Sequence, residues 1–117
     1  MAGWIGVDLD GTLATYDGWV DEHHIGLPIP AMVARVKAWL AEGKEVRIFT
    51  ARVAVADGNR ATSSVDAIRA SIQNWCRIHI GALLDITCTK DYGMIELWDD
   101  RCVQVIPNTG QRADGKQ

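Results

Sequence analysis

Asp8-Leu9-Asp10-Gly11-Thr12 closes a short apolar run that begins at Trp4. In an extended segment side chains alternate, so Asp8 and Asp10 are expected on one side with Leu9 turned away. Two carboxylates facing one spot repel each other, and that spot suits a hard divalent cation with oxygen ligands such as Mg2+. Gly11 lets the backbone approach a bound anion closely. Thr12 can orient the turn or cap the next segment of chain. Asp-Gly by itself is ordinary turn chemistry, and the bland alternative is an acidic turn closing a buried strand. The five-residue pattern at a strand end is far more specific.

Three further groups fall at expected strand ends or in adjoining loops: Thr50 after Val46–Phe49, Lys90 ahead of 94–98, and Asp99-Asp100 after it. Open α/β sheets bind ligands beyond the carboxyl ends of their strands, which brings such groups to one edge. Taken singly, Thr50 reads as a strand-end hydroxyl, Lys90 as a solvated lysine, and Asp99-Asp100-Arg101 as a surface turn with its own ion pair. Adjacent carboxylates after an apolar strand are nevertheless awkward without a cation. Arg52 could reach a second substrate phosphate or carboxylate or pair with an acidic neighbour, and the pairing is favoured.

Asp8-Leu9-Asp10-Gly11-Thr12 resembles the first motif of the haloacid dehalogenase (HAD) superfamily, Asp-x-Asp-Gly-Thr. Thr50 matches its second motif, Lys90 its third, and Asp99-Asp100 the acidic pair of its fourth. The likeness spans about residues 4–106. It implies an α/β fold: a Rossmann-like three-layer sandwich with a mainly parallel five-stranded sheet, the first strand lying between the second and the fourth. The gaps between motifs are short, so no cap domain is expected.

The resemblance further implies a Mg2+-dependent phosphatase. Asp8 would attack phosphorus in line and form an aspartyl-phosphate. Asp10 would protonate the leaving alcohol and then take a proton from the hydrolytic water. A phosphoryl group in transfer spreads charge over its equatorial oxygens. Lys90 and Mg2+ would meet that charge, and Thr50 and the Leu9 and Asp10 amides would add hydrogen bonds. The expected catalytic set is thus Asp8, Asp10, Thr50 and Lys90, with Leu9, Gly11, Thr50, Lys90 and Arg52 binding substrate. Asp8, Asp10 (through its backbone carbonyl), Asp99 and, through water, Asp100 would hold the metal. The alternative is a non-catalytic phosphate- and Mg2+-binding module that recognises a phosphorylated partner, motivated by small size and an open site, since water exclusion helps catalysis. An open site suits an exposed phosphate on a macromolecule. The acidic ending and missing cap loosely resemble the phosphatase half of phage-type polynucleotide kinases. A neighbouring subunit in a homo-oligomer would instead favour a small sugar or nucleotide phosphate.

The elements that must position these groups follow from periodicity. Strands are expected near 4–8, 46–49, 83–88, 94–98 and 103–106. Ile29, Met32, Val33, Val36 and Leu40 predict a helix over 30–42 that Gly43 stops. Val65, Ile68, Ile72, Trp75, Cys76 and His79 predict another, started by a Ser63 cap with Asp66 and ended at Gly81. The alternation of strands and helices implies right-handed crossovers with helices on both sheet faces. Tyr16-Asp17-Gly18-Trp19 reads as a tight turn, a hairpin tip beside the site, whose two aromatics could stack on a base or sugar or pack the flap. Asp57-Gly58-Asn59 marks a polar loop near the site mouth, expected to be mobile. His23-His24 reads as exposed, and Trp39, Trp75 and His79 as core.

The chain of 117 residues, 48% hydrophobic and 23% charged, fits one globular domain over 1–106 with a polar, flexible tail at 107–117. Its net charge of −3 disfavours a general nucleic-acid or anionic-membrane binder, though a local basic patch stays open. Cys76, Cys88 and Cys102 lack a Cys-x-x-Cys pair and read as reduced, buried thiols. No apolar run is long enough for a membrane span, and no signal peptide is read before the first strand. The expected compartment is the cytoplasm.

Overall fold

The computed structural model describes residues 3–21, 23–54 and 62–116. Four parallel strands form its sheet: β1 (Trp4–Val7), β2 (Glu45–Phe49), β3 (Asp85–Thr87) and β4 (Met94–Trp98), in the order β3-β2-β1-β4. The first strand therefore lies between the second and the fourth. Every residue of β1 is buried, as a strand covered on both faces requires. The register pairs Ile5 with Val46, Val7 with Ile48, and Ile48 with Ile86, so these side chains share one face.

Helix α1 (Pro30–Ala41) starts on a proline, whose missing N–H costs nothing in the first turn. It buries Met32, Val33 and Val36, and Gly43 at φ +81° ends it. Helix α2 (Thr62–His79) buries Val65, Ile68, Ile72, Trp75 and Cys76 and closes at Gly81, φ +86°. The Ser63 side chain and the loop at Asp57-Gly58-Asn59 lie outside the described residues. Both crossovers, β1-α1-β2 and β2-α2-β3, step the same way across the sheet. Right-handed connections then put both helices on the Ile5–Val7 face, and their buried residues join that face in one core cluster.

Helices on both faces were expected, and here the structure differs. No helix joins β3 to β4; residues 88–93 alone cross the other face. There Trp4 lies within van der Waals reach of Gly6, whose position has no room for a Cβ beyond a tight fit against Trp4, Met94 and Leu97. The Trp4 indole donates to Asp91 at 2.8 Å, and the Arg47 guanidinium stands 4.5 Å from its ring centre. The layer opposite the helices is thus a strap, which corrects the three-layer sandwich.

Among the described residues the sheet has four strands, not five. Only four residues, 99–102, separate β4 from Val103–Ile106, too few for a parallel crossover, which needs about a dozen. Val103, Val105 and Ile106 are exposed. The segment instead doubles back, with Ile106 N–H donating to Gln111 O and Ala113 N–H to Gln104 O, both at 2.8 Å. Residues 107–116 are polar and mostly exposed, as expected, but the start of this tail is one arm of a small ribbon. Cys76 is buried, and burial pushes its thiol up to about 12; Cys88 and Cys102 are exposed, contrary to expectation. Among the described residues no helix is long and apolar enough to cross a membrane.

Candidate functional site

Strand β1 ends at Val7, and the Asp8 amide donates to Trp98 O at 2.8 Å, so the first and fourth strand ends are joined at the acidic groups. The chain then turns: the Leu13 and Ala14 amides both donate to Leu9 O, at 3.0 and 2.8 Å. Leu9 and Leu13 are wholly buried beneath this turn. Gly11 takes φ +90°, and a Cβ there would stand 2.7 Å from Asp100 Oδ2. Glycine is needed on both counts. Thr12 Oγ1 accepts from the Asp100 amide at 3.1 Å and lies 3.4 Å from carboxylate oxygens of Asp8 and Asp100. Asp99 Oδ1 accepts from the Arg101 amide at 2.8 Å, which shapes the second acidic turn.

Asp8, Asp99 and Asp100 converge, with ligand oxygens all within 4.8 Å of one another. The Asp8 carboxyl is pushed up to about 7, first by burial, then by the charge of Asp99 and by Asp100. A cation would relieve this, and three hard carboxylate oxygens are the donors that Mg2+ takes. The residues present therefore fit the metal.

Asp10 was expected on the same side as Asp8, with the metal set. It lines one cleft with Asp8, whose carboxyl its charge helps to raise, but its carboxylate is not in the three-acid cluster and is held by Arg52. Arg52 Nε donates to Asp10 Oδ2 at 2.8 Å and Nη2 to Oδ1 at 2.9 Å. This is the acidic pairing favoured for Arg52, and it is nearly buried, with side chains 7% and 22% exposed. Thr50 prepares it. Its buried hydroxyl accepts from the Arg52 amide at 3.2 Å and starts the single 3-10 turn Ala51–Val53 that carries the arginine.

Asp8, Asp10, Thr50, Arg52 and Asp100 line a cleft of about 290 Å3. Tyr16 and Trp19 line it too. Residues 16–21 and 23–26 lie in the expected loop, closed by antiparallel bonds from Thr15 N–H to Leu27 O and Ile29 N–H to Leu13 O, both at 2.8 Å, and form no hairpin strands among the described residues. His23 and His24 are exposed; His79 is half-buried, its ring centre 4.8 Å from that of Trp75. The Leu9 and Asp10 amides donate no hydrogen bond among the described residues.

Lys90 is not brought into the cleft. It is exposed, in the strap, and lines a separate hollow with Asp99 and Cys102 beside β4. The strap thus sets it on a hollow shared with one member of the acidic cluster, Asp99, and not in the cleft that Asp8 lines. Arg101 does line the cleft. Sequence reading gave it only a surface ion pair, although its place directly after two clustered acids was the available signal.

No family model and no curated protein matches the chain. Among solved structures it is similar to a conserved protein from Bacteroides thetaiotaomicron, with a TM-score of 0.56 and 22% identity over 92% of this chain and 84% of that one. At that identity the likeness speaks to the fold alone, a small α/β domain with a Rossmann-like parallel sheet.

Proposed function

We propose that this chain is a Mg2+-dependent phosphomonoesterase of the HAD type, with Asp8 as nucleophile and Asp10 as general acid/base. The observation that carries the reading is the division of labour among four carboxylates at one sheet edge. Asp8, Asp99 and Asp100 cluster as a hard-cation site, while Asp10, in the same cleft, is gripped by a bidentate arginine. Those residues would hold Mg2+, which when bound supplies positive charge to the phosphoryl oxygens.

The rest falls to the chain itself. Asp8 attacks phosphorus, and the bond to the leaving oxygen breaks as Asp10 delivers a proton to that oxygen. The Arg52 clamp takes one lone pair on each Asp10 oxygen and leaves the others for proton transfer. The uncommitted Leu9 and Asp10 amides and the Thr50 hydroxyl are available to the phosphoryl oxygens. Water then attacks phosphorus, returns a proton to Asp10 and frees Asp8.

The test is phosphate release from an aryl phosphate, with Mg2+ and with chelator, for wild type and Asp8→Asn. Release that needs both Mg2+ and Asp8 is expected; equal rates in the variant end the proposal. The exposed position of Lys90 favours one second reading, a module that binds phosphate and Mg2+ without turnover. Slow-exchanging phosphate binding with no release from a broad substrate panel would select it.

A further inference from the structure

The site has two sides. Asp8, Asp99 and Asp100 gather toward β4, and Asp10 is turned toward the loop 16–26. The guanidinium that grips Asp10 also donates to the Asp21 and His24 carbonyls, at 3.4 and 2.7 Å, and lies 5.3 Å from the Trp19 ring centre. Tyr16 shares with Asp10 a second hollow of about 130 Å3 on this side. Tyr16 and Trp19 both line the main cleft and stay 48% and 58% exposed.

These rings sit on a fastened loop. Trp75 Nε1 donates to Gly26 O at 3.0 Å, and Leu27 N–H to Thr15 Oγ1 at 3.1 Å. Asp21 Oδ1 accepts from the His23 and His24 amides at 2.8 and 2.7 Å. The His23 ring meets Ser71 Oγ at 2.8 Å. Aromatic groups already held in place lose little freedom when a ligand stacks on them.

The geometry points to an aromatic leaving-group subsite: resting on the phosphatase reading, the substrate is a nucleoside monophosphate whose base stacks on Tyr16 and Trp19 while its phosphate reaches Asp8. The group that protonates the leaving oxygen must lie beside it, so the leaving alcohol occupies the Asp10 side, where the rings are. The phosphorus–oxygen bond to the nucleoside breaks, its oxygen takes the Asp10 proton, and a phosphorus–oxygen bond to Asp8 forms. Water then replaces Asp8 on phosphorus and releases inorganic phosphate. The cleft of about 290 Å3 is at the small end of small-molecule sites. A net charge of −3 disfavours a polyanionic strand, which leaves the mononucleotide.

Calorimetric titration in Mg2+ tests this on wild type and on Asp8→Asn, with AMP, ribose 5-phosphate and a 5′-phosphorylated oligonucleotide as probes. AMP is expected to bind at least about fivefold more tightly than ribose 5-phosphate, the low end of what base stacking on an aromatic gives. Tyr16→Ala and Trp19→Ala should each bring that ratio toward one, and Trp19→Phe should retain it. AMP binding no tighter than ribose 5-phosphate, or no binding of either, overturns the subsite; tighter binding of the oligonucleotide overturns the mononucleotide assignment. Phosphate release from the same probes reads the enzyme separately. AMP preference without turnover keeps the subsite and ends the phosphatase, whereas turnover without preference does the reverse.

Discussion

Asp8 sits in surroundings that oppose its charge. Its carboxyl is raised from 3.8 to about 7, chiefly by burial and then by Asp99 and Asp100. A carboxyl with a folded value above its unfolded value takes up a proton on folding, so the metal-free fold loses stability as pH rises from about 4 to about 7. Asn is neutral and nearly the same shape. In chelator at pH 7.5, Asp8→Asn should therefore be more stable than wild type, by about 1–2 kcal/mol once solvent screening of a half-buried group is allowed for. Its denaturation midpoint should also lack the downward slope between those pH values; an unchanged slope would remove Asp8 as its source. Gly11→Ala acts on the same cluster. A left-handed φ costs a side chain about 1–2 kcal/mol, and the new Cβ would press on the Asp100 carboxylate. Lower stability by that amount and weaker Mg2+ binding by titration are expected, and full Mg2+ affinity would mean that Asp100 is not needed for binding. Much of this was legible in the sequence, since Asp-Gly-Thr after an apolar run marks both turn and acids. The partner of Asp10 was not, because it is an arginine forty-two positions away.

Among the elements, the strands were easy to read where apolar residues cluster between glycine or proline breaks, and β4 spans the expected residues. The misreadings arise where the sequence has apolar pattern but no room in the topology. Val103-Gln104-Val105-Ile106 has strand chemistry, yet the four-residue connection cannot return it to the sheet as a parallel strand. Cys88–Gly93 gives no hint that it must cross a whole sheet face unaided, and so no hint that Lys90 is carried outside the cleft. The strap depends on Asp91, whose carboxylate accepts from the Trp4 indole and the Gly93 amide, each at 2.8 Å. Those bonds, the Trp4 one foremost, hold its carboxyl below the usual range. A lowered carboxyl stabilises the fold at neutral pH and ceases to do so as pH falls through its folded value. Asp91→Ala should therefore lower the thermal midpoint at pH 7, with a smaller deficit at pH 3, and hydrogen exchange should quicken at residues 91–94. Unchanged exchange there would show that the strap is held by the close approach of Trp4 to Gly93 and its backbone bond to Gly93 O instead.

At the scale of the whole molecule, one sheet edge gathers the acids from both ends of the sequence. Asp8 belongs to the first strand's exit and Asp99-Asp100 to the last, so a cation bound by all three ties the chain's first and last strands together. Such a site exists only in the folded state, and binding to it stabilises the fold by mass action, about 2.7 kcal/mol at a Mg2+ concentration one hundredfold above Kd. For a domain of this length that corresponds to a rise of about 10 °C in the unfolding midpoint. The rise should grow with the logarithm of Mg2+ concentration, reverse on adding chelator, and disappear in Asp99→Asn, whose metal-free midpoint should not fall, since the change removes a charge that opposes Asp8. Calcium, with its longer bonds and larger coordination number, should also raise the midpoint while failing to support phosphate release. A midpoint indifferent to Mg2+ up to millimolar concentrations would mean that the three carboxylates repel one another without recompense, and the cation-dependent chemistry proposed for Asp8 would have no foundation.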